Sequence, residues 1–345
     1  DIAISKQDRV LKAYELAKEA YAAWGVDADA AIKKIGNVPI SMHCWQGDDV
    51  IGLDAEALTG GIATTGNYPG RATNSEELRQ DIDAAHALIP GAIKLNLHAS
   101  YAERGNDKVD RDGYTVKHFQ TWIDWAKERK LGMDFNPTFF SHEKMDGDFS
   151  LASPKEETRR FWIEHGKRCR EIGAAMGEQL GQPCVINFWM PDGYKDLPGD
   201  TAAPRARMLS SLDEIFGDKT YDRNVLKDAI ESKLFGLGVE SYTVASHEFA
   251  YGYAITRKKL YTLDAGHFHP TEVISAKISA ALCYLDEIML HVSRGVRWDS
   301  DHVIVLDDEL QNIMREIVRN DYYDRVNIGL DYFDASINRI SAWVI

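Results

Sequence analysis

The sequence predicts an α/β fold, a (β/α)8 TIM barrel with an N-terminal helical extension, because eight short apolar runs alternate with helical stretches along 345 residues. Four consecutive late runs also finish in residues of metal-ligand type, at the strand ends where this barrel carries its chemistry. An open doubly wound sheet would instead show a Gly-rich phosphate turn after its first strand. Gly60, Gly61 and Gly66 are not spaced as G-x-G-x-x-G, so the closed barrel is preferred.

The chain opens with a helix over residues 8–24, where Val10, Tyr14, Ala17, Tyr21 and Trp24 recur at three-four spacing. Residues 38–45 read as the first strand, followed by a long Gly/Thr/Asp loop over 46–71 of the kind that usually carries function. Asn74 and Glu77 form a capping box for a helix that places Leu78, Ile82, Ala85 and Leu88 on one face and stops at Pro90-Gly91. Strand two is 93–98. A helix over 116–129 turns Phe119, Trp122, Ile123 and Ala126 inward, and Pro137 halts strand three, 131–136. Ser153-Pro154-Lys155-Glu156 starts a helix reaching Leu180, with Ser at the cap and Pro in the first turn. Strand four, 184–189, ends at Pro191-Asp-Gly193. A helix over 205–216 leads to strand five, 227–233, and an irregular segment continues to Tyr253. Strand six runs from Leu260 to Asp264. A helix over 271–284, strand seven at 288–292, a helix over 308–318 and strand eight at 326–331 complete the order.

Composition excludes several classes. At 44% hydrophobic and 27% charged, the chain buries a large core and reads as one domain. Its apolar runs fall short of the ~20 residues a membrane span needs, and no charged-then-apolar signal opens it. Cys44, Cys169, Cys184 and Cys283 form no CxxC and accompany no N-x-[ST] acceptor, which fits free thiols in a reducing cytoplasm. A formal charge of −14 argues against nucleic-acid partners. Asp1 is not an initiator and the chain stops within the apolar run Trp343-Val-Ile345, so both ends are expected to be incomplete.

The chemistry centres on Tyr261-Thr-Leu-Asp264-Ala-Gly-His267-Phe-His269, which delivers a carboxylate and two imidazoles out of a buried run broken by Ala265-Gly266. Ile288-Met-Leu-His291 repeats the pattern, with Trp298-Asp299-Ser-Asp301-His302 beyond it, and strand eight ends in Asp331 and strand five in Glu231 and Lys233. Carboxylates mixed with imidazoles suit Mn, Co, Zn or Mg, and the lack of cysteine among them argues against structural zinc. Glu231, Asp264, His291 and Asp331 leave strands directly and are expected around one deep ion. His267, Asp299 and Asp301 lie on loops and suit a second, more open site, with Glu231 bridging the two. A lone strand-end His or Asp is more often a cap or a hydrogen-bonded residue. Seven at four successive strand ends are harder to read that way. His269 and His302, each with a better-placed neighbour, are read as structural.

Ser41-Met-His-Cys-Trp-Gln-Gly-Asp-Asp49, Thr64-Thr-Gly-Asn-Tyr-Pro-Gly70, Glu231-Ser-Lys-Leu-Phe-Gly236, Leu263-Asp-Ala-Gly-His-Phe-His-Pro270, Arg297-Trp-Asp-Ser-Asp-His302 and Asp331-Tyr-Phe-Asp-Ala-Ser-Ile-Asn-Arg339 carry a resemblance over essentially the whole chain. It is similar to bacterial L-rhamnose isomerase. The resemblance implies a (β/α)8 barrel, conversion of L-rhamnose to L-rhamnulose, Mn2+ or related divalent ions such as Co2+ or Zn2+, a cytoplasmic location and a homotetramer. It assigns Glu231, Asp264, His291 and Asp331 to a structural metal, and His267, Asp299 and Asp301, with shared Glu231, to a catalytic one. Family members usually run several dozen residues beyond the point where this chain stops.

An aldose–ketose isomerase moves one hydrogen between C2 and C1 while both oxygens are held, which needs Lewis acids and no organic cofactor. Lys233, on the same strand face as Glu231, is expected to reach the C1 oxygen; its bland reading is a charge that balances the carboxylates. His98 and Trp189 fit a hydroxyl contact and a stacking wall, and His43 and Trp45 similar roles, although all are equally readable as barrel-mouth core. Metal-bound carboxylates are poor bases, so a direct hydride shift is expected, with Asp324 or a metal-bound water handling only the hydroxyl proton. Two rivals are a metal-dependent hydrolase, which would place H-x-H where strand one has Met42-His43-Cys44, and a non-catalytic sugar-binding protein, which would not need seven ligand-type residues.

Overall fold

A computed structural model describes residues 5–54, 58–60, 62, 64–296 and 299–345, and of residues 65, 295, 296 and 299–301 it describes the backbone alone. The chain forms two compact units, one comprising Asp1–Pro39 with Pro90–Ala92 and the other Ile40–Ile89 with Ile93–Ile345.

In the first unit, helix α1 (Lys6–Ala22) is capped by the Ser5 hydroxyl, and α2 (Ala28–Gly36) by Asp27. The two helices meet where Tyr14 Oη and Lys18 Nζ both approach Asp29, at 2.5 and 2.7 Å. A helix stands where one was expected, over Lys6–Ala22 rather than 8–24, but neither helix buries a residue, so the expected apolar face is not a buried one.

The second unit is a closed parallel barrel. Its strands are β1 (Ile40–His43), β2 (Ile93–His98), β3 (Gly132–Asn136), β4 (Cys184–Trp189), β5 (Leu226–Glu231), β6 (Leu260–Asp264), β7 (Ile288–Val292) and β8 (Val326–Leu330). Each pairs with its neighbours in chain order, and β1 pairs with β8 to close the ring. Strands buried on both faces read as near-continuous apolar runs, which is why these segments stand out in the sequence. Among the described residues no helix is long and apolar enough to cross a membrane.

The connecting helices are α3 (Ser75–His86), α4 (Gln120–Glu128), α5 (Glu156–Leu180), α6 (Ala202–Asp218), α7 (His247–Arg257), α8 (Ser275–Ala281), α9 (Asp308–Arg319) and α10 (Arg339–Val344). Several boundaries differ from expectation. Ser153 does not cap α5: its hydroxyl accepts from Lys155 N, and Lys155 stands at the N-cap. Asn74 does cap α3, but the Glu77 carboxylate reaches back to Thr73 rather than to Asn74. Strand five ends at Glu231, two residues short of expectation, because the Lys233 amide turns away to Ala245 O. The segment read as irregular holds α7, capped by the Ser246 hydroxyl, and the final apolar run is α10, capped by Asn338. Helix α5 runs for 25 residues and approaches β5 so closely at Gly177 that a Cβ there would lie 2.0 Å from Val225 O. Glycine is required at that contact.

Candidate active site

Alternate residues of each strand face the barrel interior, so a polar residue two positions beyond an apolar one sits directly above it. On one side Val185, Ala229, Leu260 and Met289 form a buried apolar layer. Two residues further along the same strands stand Asn187, Glu231, Thr262 and His291, all at most 2% exposed. On the other side the interior is polar from the base upward. Lys94 pairs with Asp134 inside the barrel, and the Asn136 amide donates to the Asn96 carbonyl oxygen above it.

Above the apolar layer, Glu231, Asp264, His291 and Asp331 each offer a ligand atom within 4.8 Å of the others. His291 Nδ1 lies 3.2 Å from Glu231 Oε1, 3.2 Å from Asp331 Oδ2 and 3.7 Å from Asp264 Oδ2. The ring fits there because β8 carries Gly329 opposite His291 in register; a Cβ at 329 would lie 3.3 Å from His291 Cδ2. Burial drives the Glu231 carboxyl above its ordinary pKa, against the pull of His291. Burial also disfavours charge on His291, but the carboxylates of Glu231, Asp264 and Asp331 override it and hold the imidazole well above its usual range. Burial opposes ionisation of Asp264 too, yet His267, His291 and the Gly266 amide outweigh it and keep this carboxyl low. Three carboxylates converging on one point require a countercharge, and His291 alone supplies it within the cluster. Asp264 Oδ2 and Asp331 Oδ1 are buried with no hydrogen-bond partner among the described residues. Orphaned carboxylate oxygens beside an imidazole are the donor set a hard or borderline divalent cation takes, so these residues fit one.

His267 stands beside this cluster, with Nδ1 3.7 Å from Glu231 Oε1 and Nε2 3.8 Å from Asp264 Oδ2. Ser232 O lies 2.8 Å from Nδ1, and since a carbonyl only accepts, Nδ1 donates there and Nε2 is the nitrogen turned to the cluster. The side chains of Asp299 and Asp301 lie outside the described residues; their backbone forms the strand Asp299–His302, antiparallel to Arg294–Val296. Asp324 is not brought to the site. It ends the short 3-10 helix Tyr322–Asp324, ahead of β8, whereas Asp331 follows that strand. A strand of this length separates the two by roughly 17 Å along its axis at ~3.3 Å per residue. The expected role for Asp324 on the hydroxyl proton is therefore withdrawn. His269 meets Thr271 Oγ1 at 2.7 Å, and His302 approaches Asp334 at 3.8 Å; neither is among the four residues whose ligand atoms converge.

A pocket opens over the cluster. His43, Trp45, His98, Trp189 and Lys233 all line it. Trp45 stacks on His98 at 4.1 Å and on His43 at 4.9 Å, making one aromatic wall. His43 Nδ1 meets Leu330 O at 2.6 Å, leaving Nε2 3.7 Å from Asp331 Oδ1. Burial holds both His43 and His98 below the usual imidazole pKa, so their rings are neutral. Lys233 Nζ donates to Gly60 O at 2.9 Å, lies 4.7 Å over the Trp189 ring and comes within 3.9 Å of Glu240. Asn136, Asn187, Phe140 and Glu240 also line the pocket and were not anticipated. The signal for Asn187 was present: it is the lone polar residue of β4 and lies two positions before Trp189, hence on the same face.

A sequence profile of the family L-rhamnose isomerase (RhaA) matches residues 8–345. The L-rhamnose isomerase of Rhodopirellula baltica is 56% identical over 344 residues, covering 99% of this chain and 80% of the relative. That of Listeria monocytogenes serotype 4a is 56% identical over 345 residues, covering 99% of this chain and 81% of the relative. Among solved structures, D-psicose 3-epimerase with D-tagatose from Clostridium cellulolyticum H10 is 12% identical, covers 88% of this chain and 89% of its own, and superposes with a TM-score of 0.52, a likeness of fold. The match along nearly the whole sequence, together with the barrel and its strand-end cluster, establishes that the chain belongs to the L-rhamnose isomerase family.

Proposed function

We propose that this chain interconverts L-rhamnose and L-rhamnulose by a metal-dependent 1,2-hydride shift. The observation that supports the reading most directly is the convergence of Glu231, Asp264, His291 and Asp331 within 4.8 Å beneath the pocket, in a chain of this family. These residues would hold one divalent ion, and His267, through the Nε2 that Ser232 O leaves unengaged, would join Asp299, Asp301 and Glu231 at a second. Mn2+ is the ion proposed, with Co2+ or Zn2+ at one of the two sites as the alternative. A divalent cation supplies Lewis acidity that polarises the sugar carbonyl and stabilises negative charge on oxygen.

The protein's own residues account for the rest. The Trp45–His43–His98 wall excludes water from one side of the sugar, and His98 Nε2, buried without a hydrogen-bond partner among the described residues, meets a sugar hydroxyl. Lys233, fixed between Gly60 O and the Trp189 ring, presents a cation toward O1. Proton transfer through an enediol needs a positioned base of suitable pKa. The carboxylates of Glu231, Asp264 and Asp331 face one another and His291 instead, which favours hydride transfer. A metal-dependent hydrolase is not favoured, since the end of β1 and the residue after it read Met42-His43-Cys44 in place of H-x-H. Cytoplasmic location and a homotetramer are proposed on the family resemblance. With [2-2H]-L-rhamnose in ordinary water, the product should keep its label at C1 by NMR; washout to solvent would reject the hydride shift. Chelated protein should form no ketose until Mn2+ or Co2+ is restored, and full activity without metal would remove the metal-dependent reading.

A further inference from the structure

Glu231 has two oxygens in different surroundings. Oε1 faces His291 at 3.2 Å and His267 at 3.7 Å, the side of the ligand cluster. Oε2 receives a hydrogen bond of 2.6 Å from Asn187 Nδ2. Asn187 in turn accepts 2.6 Å from the Thr262 hydroxyl at Oδ1. The three residues come from adjacent strands β4, β5 and β6, with Glu231 directly in register with Thr262, and all are buried. The directions of these bonds follow once Glu231 is ionised, as a metal ligand is. An ionised carboxylate only accepts, so the amide must turn Nδ2 toward Glu231. Oδ1 then faces Thr262, whose hydroxyl must donate.

We infer that Asn187, oriented by Thr262, is a positioning residue for Glu231: it occupies Oε2, fixes the carboxylate rotamer and leaves Oε1 as the oxygen presented to a divalent cation. The inference rests on the metal reading given above. Amide and hydroxyl act in series, because the Thr262 hydroxyl bonds to Asn187 and the Asn187 amide bonds to Glu231. Groups that orient a metal ligand typically change affinity about 10–100-fold when removed.

The test uses full-length holoprotein and reads the apparent Mn2+ dissociation constant by competition with a chelator, beside the thermal midpoint of the chelated form and the separate values of kcat and KM. Asn187→Leu should weaken Mn2+ about 10–100-fold. Thr262→Val, which keeps shape and removes the hydroxyl, should weaken it several-fold, and Thr262→Ser should restore wild-type affinity. The double variant Asn187→Leu/Thr262→Val should be no weaker than Asn187→Leu alone, as residues acting in series are not additive. Losses that multiply in the double variant, or Asn187→Leu with Mn2+ affinity within twofold of wild type, would overturn the inference. Should Asn187→Leu fail to fold, the Thr262 pair decides: equal affinities for the Val and Ser variants reject the relay. A wild-type protein that retains no Mn2+ would sink the metal reading itself, an outcome distinct from a wild type that binds Mn2+ while its variants bind equally well.

Discussion

Gly329→Ala tests whether the barrel interior has room to spare around His291. The added Cβ would lie 2.8 Å from Met289 Cε, 3.3 Å from His291 Cδ2 and 3.5 Å from Leu290 O. The first contact must relax, and Met289 is fully buried in the apolar layer, with little space to swing into. The second falls on a ring already held at 3.2 Å by Glu231 and by Asp331. Overpacking a closed core costs about 1–3 kcal/mol, and the smaller unfolded-state entropy of Ala returns about 0.4–1 kcal/mol. The net expectation is a loss of about 1 kcal/mol in the chelated protein. Metal sites tolerate ligand displacements of only about 0.2 Å, so a ring pushed by a few tenths of an ångström should also lose at least about tenfold in Mn2+ affinity. Urea unfolding of the chelated protein measures the first effect and chelator competition the second. Gly217→Ala, where a Cβ meets nothing within 4 Å, serves as control and should leave both unchanged or raise stability slightly. Wild-type stability and affinity in Gly329→Ala would refute the packing argument.

Two further predictions concern buried charges away from the ligand cluster. Asp48, 5% exposed, accepts from Tyr101 Oη and Gly52 N, yet burial pushes its pKa up to about 7 from an ordinary 3.8. A carboxyl raised on folding stabilises the protein below its ordinary pKa and loses that contribution as pH rises through the folded value, so wild type should lose up to about 4 kcal/mol relative to Asp48→Asn between pH 4 and 7. Parallel stability–pH curves for the two proteins would contradict this. Lys94→Met leaves the buried Asp134 carboxylate without its cation and should cost about 3–5 kcal/mol in denaturant unfolding, while Lys94→Met/Asp134→Leu should recover part of it. A single variant as stable as wild type would show that the pair is solvated.

The barrel was legible because parallel strands buried on both faces leave apolar runs, and because breakers such as Ala265-Gly266 and Pro137 mark their ends. The same logic placed Glu231, Asp264, His291 and Asp331 at one end of the barrel. Helix α7 escaped because Phe249, Tyr251, Gly252 and Tyr253 are weak helix formers, and packing of Ala250, Tyr253 and Ala254 holds it instead. Asp324, named as an alternative to a metal-bound water for the hydroxyl proton, already precedes strand eight in the sequence, at the opposite end of β8 from Asp331. Asn187 and Thr262 were missed for a different reason: a polar residue inside a strand announces a buried partner only once neighbouring strands are set in register.

The apolar layer of Val185, Ala229, Leu260 and Met289 makes the barrel a vessel sealed at its base on that side. Traffic therefore has an order. On the function proposed above, an ion settling against Glu231 and His291 would enter through the mouth ahead of the sugar, and a sugar in the mouth would cover it. Loss of a deep ion would then compete with the interval between one sugar leaving and the next arriving, and saturating sugar should slow the action of chelators without touching the ligands themselves.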